Sequence, residues 1–267
     1  MAKTRGRTRL DMGSLGGLLL AIGGIMGGFW LENGRPHQMV GISAALIVFG
    51  GCFGATLVAN SPTLVKAAVV RLRDIFLEPE SSHAETIEDI VGYATKARKN
   101  GIVALEAEAN GIGDGFLRKS LMLAVDGADL QELRSMMELE IDLAEQQMDR
   151  EAKVYESAGG FAPTIGIVGA VLGLILVMED ITDINKVGHG IAAAFVATIY
   201  GVGIANIFLL PAANKIKLRA QSERERRELM LEGVTAIVEG MNPKLIRLKL
   251  EAFLADHDRK ALKAGGG

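Results

Sequence analysis

The polar side chains Ser43, Cys52, Thr56, Thr164, Thr198, Tyr200 and Asn206 lie inside long uncharged stretches of this chain. Each can make a hydrogen bond, and none titrates near neutral pH. An ion path through lipid needs an ionisable side chain near the bilayer centre. If an ion crosses here, a partner chain must bring the carboxylate. A second group, Arg98, Lys99, Glu106 and Glu108, places two positive residues before an apolar Ile102 to Leu105 segment and two negative residues after it. Such a cluster suits a contact set by complementary charge, and it equally reads as a solvated face. Nucleophile, base and orienting acid occur at no recognised spacing, and no phosphate-cradling loop is present, so an enzyme is not expected. His37, His83, His189 and His257 are far apart and Cys52 is the single cysteine, so neither a metal site nor a disulfide within one chain is expected.

The elements that must position these residues are four apolar runs: Gly13 to Leu31, Met39 to Ala59, Phe161 to Met178 and Ile191 to Ala213. Each holds about 18 to 23 residues, roughly 27 to 35 Å as a helix, which matches a bilayer core. Composition agrees: 49% hydrophobic residues but only 5% aromatic, with 33 glycines, so the apolar content is aliphatic and small. A signal peptide would explain the first run after Lys3, Arg5, Arg7 and Arg9, but its length and the short hairpin to a second run argue against that. Basic residues flank the runs at Lys3 to Arg9, at Lys66, Arg71 and Arg73, and at Lys215, Lys217 and Arg219. The positive-inside bias predicts both termini and the middle region in the cytoplasm. Small residues recur every fourth position, as in Gly23 and Gly27, Gly50 and Gly54, Gly169 and Gly173, and along Ala193, Ala197, Gly201 and Ala205. These stripes predict close helix packing within one chain and between copies.

The fold class expected is all-α, a polytopic membrane protein with four transmembrane helices and a helical cytoplasmic domain. Its parts are a basic N-terminus at 1–12, a hairpin at 13–59, an acidic helical domain at 60–160, a second hairpin at 161–213 and a helical tail at 214–267. The acidic domain holds 19 acidic and 11 basic residues, which points to a protein partner with basic patches and not to nucleic acid. Ile87, Ile90, Val91 and Ala94 follow helical periodicity, with Gly101 as the stop. Asp129 and Glu132 read as a capping box that opens a long helix, which Gly159, Gly160 and Pro163 are expected to bend or interrupt. No strand alternation stands out.

Three blocks carry a family resemblance: Phe161-Ala-Pro-Thr-Ile-Gly-Ile-Val-Gly-Ala-Val-Leu-Gly-Leu-Ile175; Gly190 to Asn206, followed by Leu-Leu-Pro211-Ala-Ala-Asn; and Lys96 to Glu108. Together, in this order and at this spacing, they resemble the MotA family of flagellar stator proteins in the MotA/TolQ/ExbB superfamily. The resemblance implies a ring of A-type subunits in the bacterial inner membrane. The ring surrounds B-type, MotB-like subunits that supply the membrane aspartate, and ion flow drives torque on the rotor's switch protein. It assigns Pro163 and Pro211 to conformational coupling and Arg98, Lys99, Glu106 and Glu108 to the rotor interface. Thr198 is placed near the B-subunit aspartate, and Ala170 and Ala197 stand where sodium-driven members tend to carry a hydroxyl. Methyl groups there imply a proton as the coupling ion and no cofactor. The alternatives are a TolQ/ExbB-type energiser, whose relatives have one span before the cytoplasmic domain, and a non-conducting scaffold.

Overall fold

The computed structural model describes residues 8–79, 83–179 and 181–254, and among them the chain is almost entirely helical. Helix α1 spans Met12–Leu31, α2 Ile42–Ala59, α3 Pro62–Phe76, α4 His83–Asn100, α5 Glu106–Ala109 and α6 Gly115–Val125. Two long helices follow, α7 over Leu130–Glu179 and α8 over Ile184–Val238, and then α9 at Pro243–Leu250. Short polar side chains open most of them by accepting orphan backbone amides. Asp11 takes the Ser14 amide, Ser61 the Leu64 amide, Asp114 those of Phe116 and Leu117, and Asp183 those of Asn185 and Lys186. The expected cap at Asp129 accepts from Gln131 and Glu132 at 2.9 and 3.4 Å. The expected stop is also present: α4 ends one residue before Gly101, whose φ of +84° only glycine adopts cheaply.

Among the described residues four helices, α1, α2, α7 and α8, are long and apolar enough to cross a membrane. The chain divides into two compact units. The first comprises 10–77 and 148–218 and contains every apolar run; the second draws on 78–147 and 219–254, with residues 8 and 9. Two three-residue strands, Thr8–Leu10 and Leu77–Pro79, pair with each other, a detail too short for sequence periodicity to reveal.

Gly159, Gly160 and Pro163 do not interrupt the helix: α7 is continuous with Pro163 inside it. A proline removes one intrahelical bond and crowds the carbonyl four residues back, here that of Gly159. Packing around the proline holds the helix together, since Ala158 and Ala162 just before it are buried in a cluster with Cys52 and Ala205, and Ile165 just after it packs against the same cluster. Pro211 is accommodated differently. A wide π-turn at Ala205–Leu209 directly precedes it in α8, and loosening the preceding turn gives its ring room. A second π-turn, at Leu46–Gly50, lies in α2.

The second unit has a core of large aliphatic side chains. Ile87 and Ile90 of α4, Leu105, Leu121 of α6, Leu133 and Met137 of α7, Leu229 of α8, and Ile246 and Leu250 of α9 are fully buried. Gly233 lets α8 approach this core, because a Cβ there would stand 2.7 Å from Ile90.

Candidate functional site

Inside the first unit, α7 and α8 meet along a seam without large side chains. Gly166, Gly169 and Gly173 face Gly190, Ala194, Ala197 and Gly201. A Cβ on Gly201 would lie 3.0 Å from the Gly166 Cα and closer still to the Ala162 carbonyl oxygen. A Cβ on Gly173 would lie 3.0 Å from the Gly190 carbonyl oxygen. The two backbones therefore approach to a separation that any side chain would prevent. The sequence stripe named Gly169, Gly173, Ala197 and Gly201 correctly, and it missed Gly166, Gly190 and Ala194. Ala193, named instead of Ala194, is only half-buried, whereas Ala194 is 5% exposed. Helical spacing from Gly190 through Ala194, Ala197 and Gly201 was the available signal.

Ala197 is buried in this seam, where a Cβ on Gly169 would stand 2.9 Å from its methyl. Thr198 is half-buried beside it, and its hydroxyl donates to the Ala194 carbonyl at 3.2 Å. Ala170, next to Gly169, is half-buried. Most of the other polar groups of the spans are also satisfied within their own helices. Thr56 donates to Cys52 O, Thr164 to Phe161 O and Asn206 to Val202 O. Two reach further: Cys52 Sγ donates to Ala158 O, and Tyr200 Oη donates to Met39 O at 2.6 Å while accepting from the Gly41 amide at 3.1 Å. Tyr200 also stacks on Phe49 with ring centroids 5.7 Å apart. The seam thus contains no titratable group and no free hydroxyl aimed at a ligand.

Charges gather just outside the apolar runs. Asp11, 6% exposed, pairs with Lys215 at 2.5 Å; Glu151, 4% exposed, takes Arg71 at 2.6 Å; and Lys217 meets Glu156 at 2.6 Å. The Tyr155 hydroxyl donates to Ala68 O at 2.8 Å, and burial together with the Glu151 charge pushes its pKa up to about 12. Pro163 is half-buried, whereas Pro211 is exposed and lines a cleft of 480 Å³ with Ser14, Gly17, Phe76, Asn206 and Lys215.

In the second unit, Arg98 and Lys99 end α4, Gly101 turns the chain, a 3-10 turn at Ile102–Leu105 buries Leu105, and Glu106 opens α5. Arg98, Lys99 and Glu106 are exposed and make no ion pair among the described residues. Glu108 differs: it is half-buried and bound by Lys96 at 2.5 Å, a partner that the charge pattern did not single out. The turn also presents Val103, 64% exposed, between the opposite charges.

Residues 108–229 match the MotA/TolQ/ExbB proton channel family, and residues 15–101 match the motility protein A N-terminal family. Motility protein A of Helicobacter pylori is 33% identical over 94% of this chain and 98% of its own length. That of Bacillus subtilis is 34% identical over 94% and 93%. The chain belongs to the MotA/TolQ/ExbB proton channel family. Within it, the N-terminal match covers the first hairpin and separates the chain from a TolQ/ExbB-type energiser. The solved structure of the Campylobacter jejuni MotAB has a TM-score of 0.89 at 30% identity, covering 92% of this chain and 97% of that one. The flagellar MotAB stator complex of B. subtilis has a TM-score of 0.87 at 34% identity, covering 93% and 98%. The protein is accordingly a flagellar stator subunit of the A type, a bacterial inner-membrane protein and not an enzyme.

Proposed function

We propose that this stator subunit passes protons only in company with a B-type, MotB-like partner whose membrane carboxylate accepts the ion. The observation that supports this reading is the α7–α8 seam. It contains no titratable side chain, and the Thr198 hydroxyl beside it is spent on the Ala194 carbonyl. Sodium needs several oxygen ligands, whereas a proton needs an acceptor carboxylate and water. The methyls of Ala170 and Ala197 offer no such oxygens. Copies of the chain form a ring around the partner, with both termini and the second unit in the cytoplasm. Pro163 and Pro211 set the helix geometry through which ion passage moves the second unit, and Arg98, Lys99 and Glu106 meet the rotor's switch protein. Glu108 supports that contact by fixing Lys96 beside it.

The test is swimming speed in a strain lacking its own copy, complemented with this gene and its cognate partner. Speed should follow the proton-motive force and stay constant when external sodium is varied. Speed that follows sodium at fixed proton-motive force would overturn proton coupling.

A further inference from the structure

The second unit has a large aliphatic core, yet it leaves two apolar strips uncovered. On α7, Met136, Leu139 and Leu143 are exposed, and Glu132 continues their line one turn earlier. On α9, Leu245 and Leu248 are exposed, with Lys244 adjoining them. These strips are substantial: Leu139 is 59% and Leu248 67% exposed, in a part of the chain that lies outside every apolar run. Contiguous exposed apolar side chains on a water-facing unit mark an interaction surface.

The two strips occupy different flanks. Arg134 reaches Glu232 at 3.1 Å, and Lys249 of α9 pairs with the same carboxylate, so α9 lies on the Arg134 side of α7. At 100° per residue, Met136, Leu139 and Leu143 point about 140° to 200° around the helix from Arg134. Their charges are opposite and unspent. Glu132 and Lys244 make no ion pair among the described residues. Lys244 also sits in the first turn of α9, where the helix dipole disfavours a cation, so an incoming carboxylate is favoured there.

We infer that the α7 strip of one copy docks on the α9 strip of the next, with Glu132 meeting Lys244 of the neighbour. Two different, complementary patches on different flanks make a head-to-tail contact, which continues from copy to copy instead of stopping at a dimer and closes where the rotation between copies allows a ring. The inference rests on the ring reading above and names the cytoplasmic contact that builds it.

The test uses the full chain with its partner in native membranes and a short bis-maleimide crosslinker. Cys52 is buried, and the parent chain supplies its background. A chain carrying both Leu139→Cys and Leu248→Cys should give a ladder of dimers, trimers and higher products, and neither single variant should. Adding Glu132→Lys should cut the product roughly fivefold, the scale of one exposed charge pair, and adding Lys244→Glu as well should restore it. No ladder from the double-cysteine chain, or dimers from Leu139→Cys alone, would overturn the head-to-tail contact. A yield unmoved by Glu132→Lys would overturn the charge register. Crosslinking is read without swimming, so a ladder from a chain that fails to restore motility separates this contact from the stator role.

Discussion

The two compact units of this chain bury opposite kinds of residue. In the unit that contains the spans, the α7–α8 seam is closed by Gly166, Gly173, Gly190, Ala194 and Gly201, while Leu19, Leu20, Val171 and Leu176 are exposed. In the other unit, Ile87, Leu121, Leu133 and Met137 are hidden, and the surface is rich in charge. The solvent accounts for the inversion. Lipid tails solvate leucine as well as a protein core does, so helices in a bilayer gain from close backbone approach and shared hydrogen bonds. Water expels large aliphatic groups, so the other unit gains by burying them.

The sharpest way to break the comparison is one methyl inside the seam and one just outside it. Gly201→Ala puts a Cβ against Gly166 and Ala162 backbone and should force α7 and α8 apart, abolishing swimming and lowering the amount of protein in the membrane. Gly203→Ala, two residues on, meets nothing within 4 Å and should leave both near normal. Equal loss from the two would show that the seam is not what limits packing. Next in size is Leu133→Ala in the second unit, where truncating a fully buried aliphatic should cost about 2 to 5 kcal/mol. Thermal unfolding of the purified complex would show it, and a change under half that range would mean the core is loosely packed.

Tyr200→Phe removes both hydrogen bonds that tie α8 to Met39 and Gly41 but keeps the stacking on Phe49. A loss of about 1 to 3 kcal/mol is expected, because the Gly41 amide and Met39 carbonyl are left unmatched. Protease sensitivity of the segment between α1 and α2 is the direct measure. The smallest effect on stability should come from Arg98→Glu, within about 1 kcal/mol because the side chain is exposed and unpaired. Its effect on swimming should nevertheless be large, with partial recovery when a rotor residue of opposite charge is also reversed. Normal swimming in Arg98→Glu and in Glu106→Lys would make this turn an ordinary solvated face.

Much of the molecule is written locally. Four charge-free stretches of bilayer length specify spans whatever they pack against, because each unpaired backbone group in lipid is costly and a helix satisfies its own. Asp129 and Gly101 likewise mark a helix start and stop through bonds and dihedrals within a few residues of themselves. Tertiary structure decided the rest. Pro163 reads as a bend or an interruption, yet α7 passes through it without interruption, since Ala158 and Ala162 before it and Ile165 after it pack into the cluster of Cys52 and Ala205. Glu108 reads as a free charge until the fold brings Lys96 to it across the Gly101 turn. Tyr200 reads as one polar group among several, and only the fold shows it closing on a backbone 161 residues away. Periodicity records which face of a helix is small or apolar. Which partner meets that face depends on distances between residues remote in sequence, and these exist only once the chain has packed.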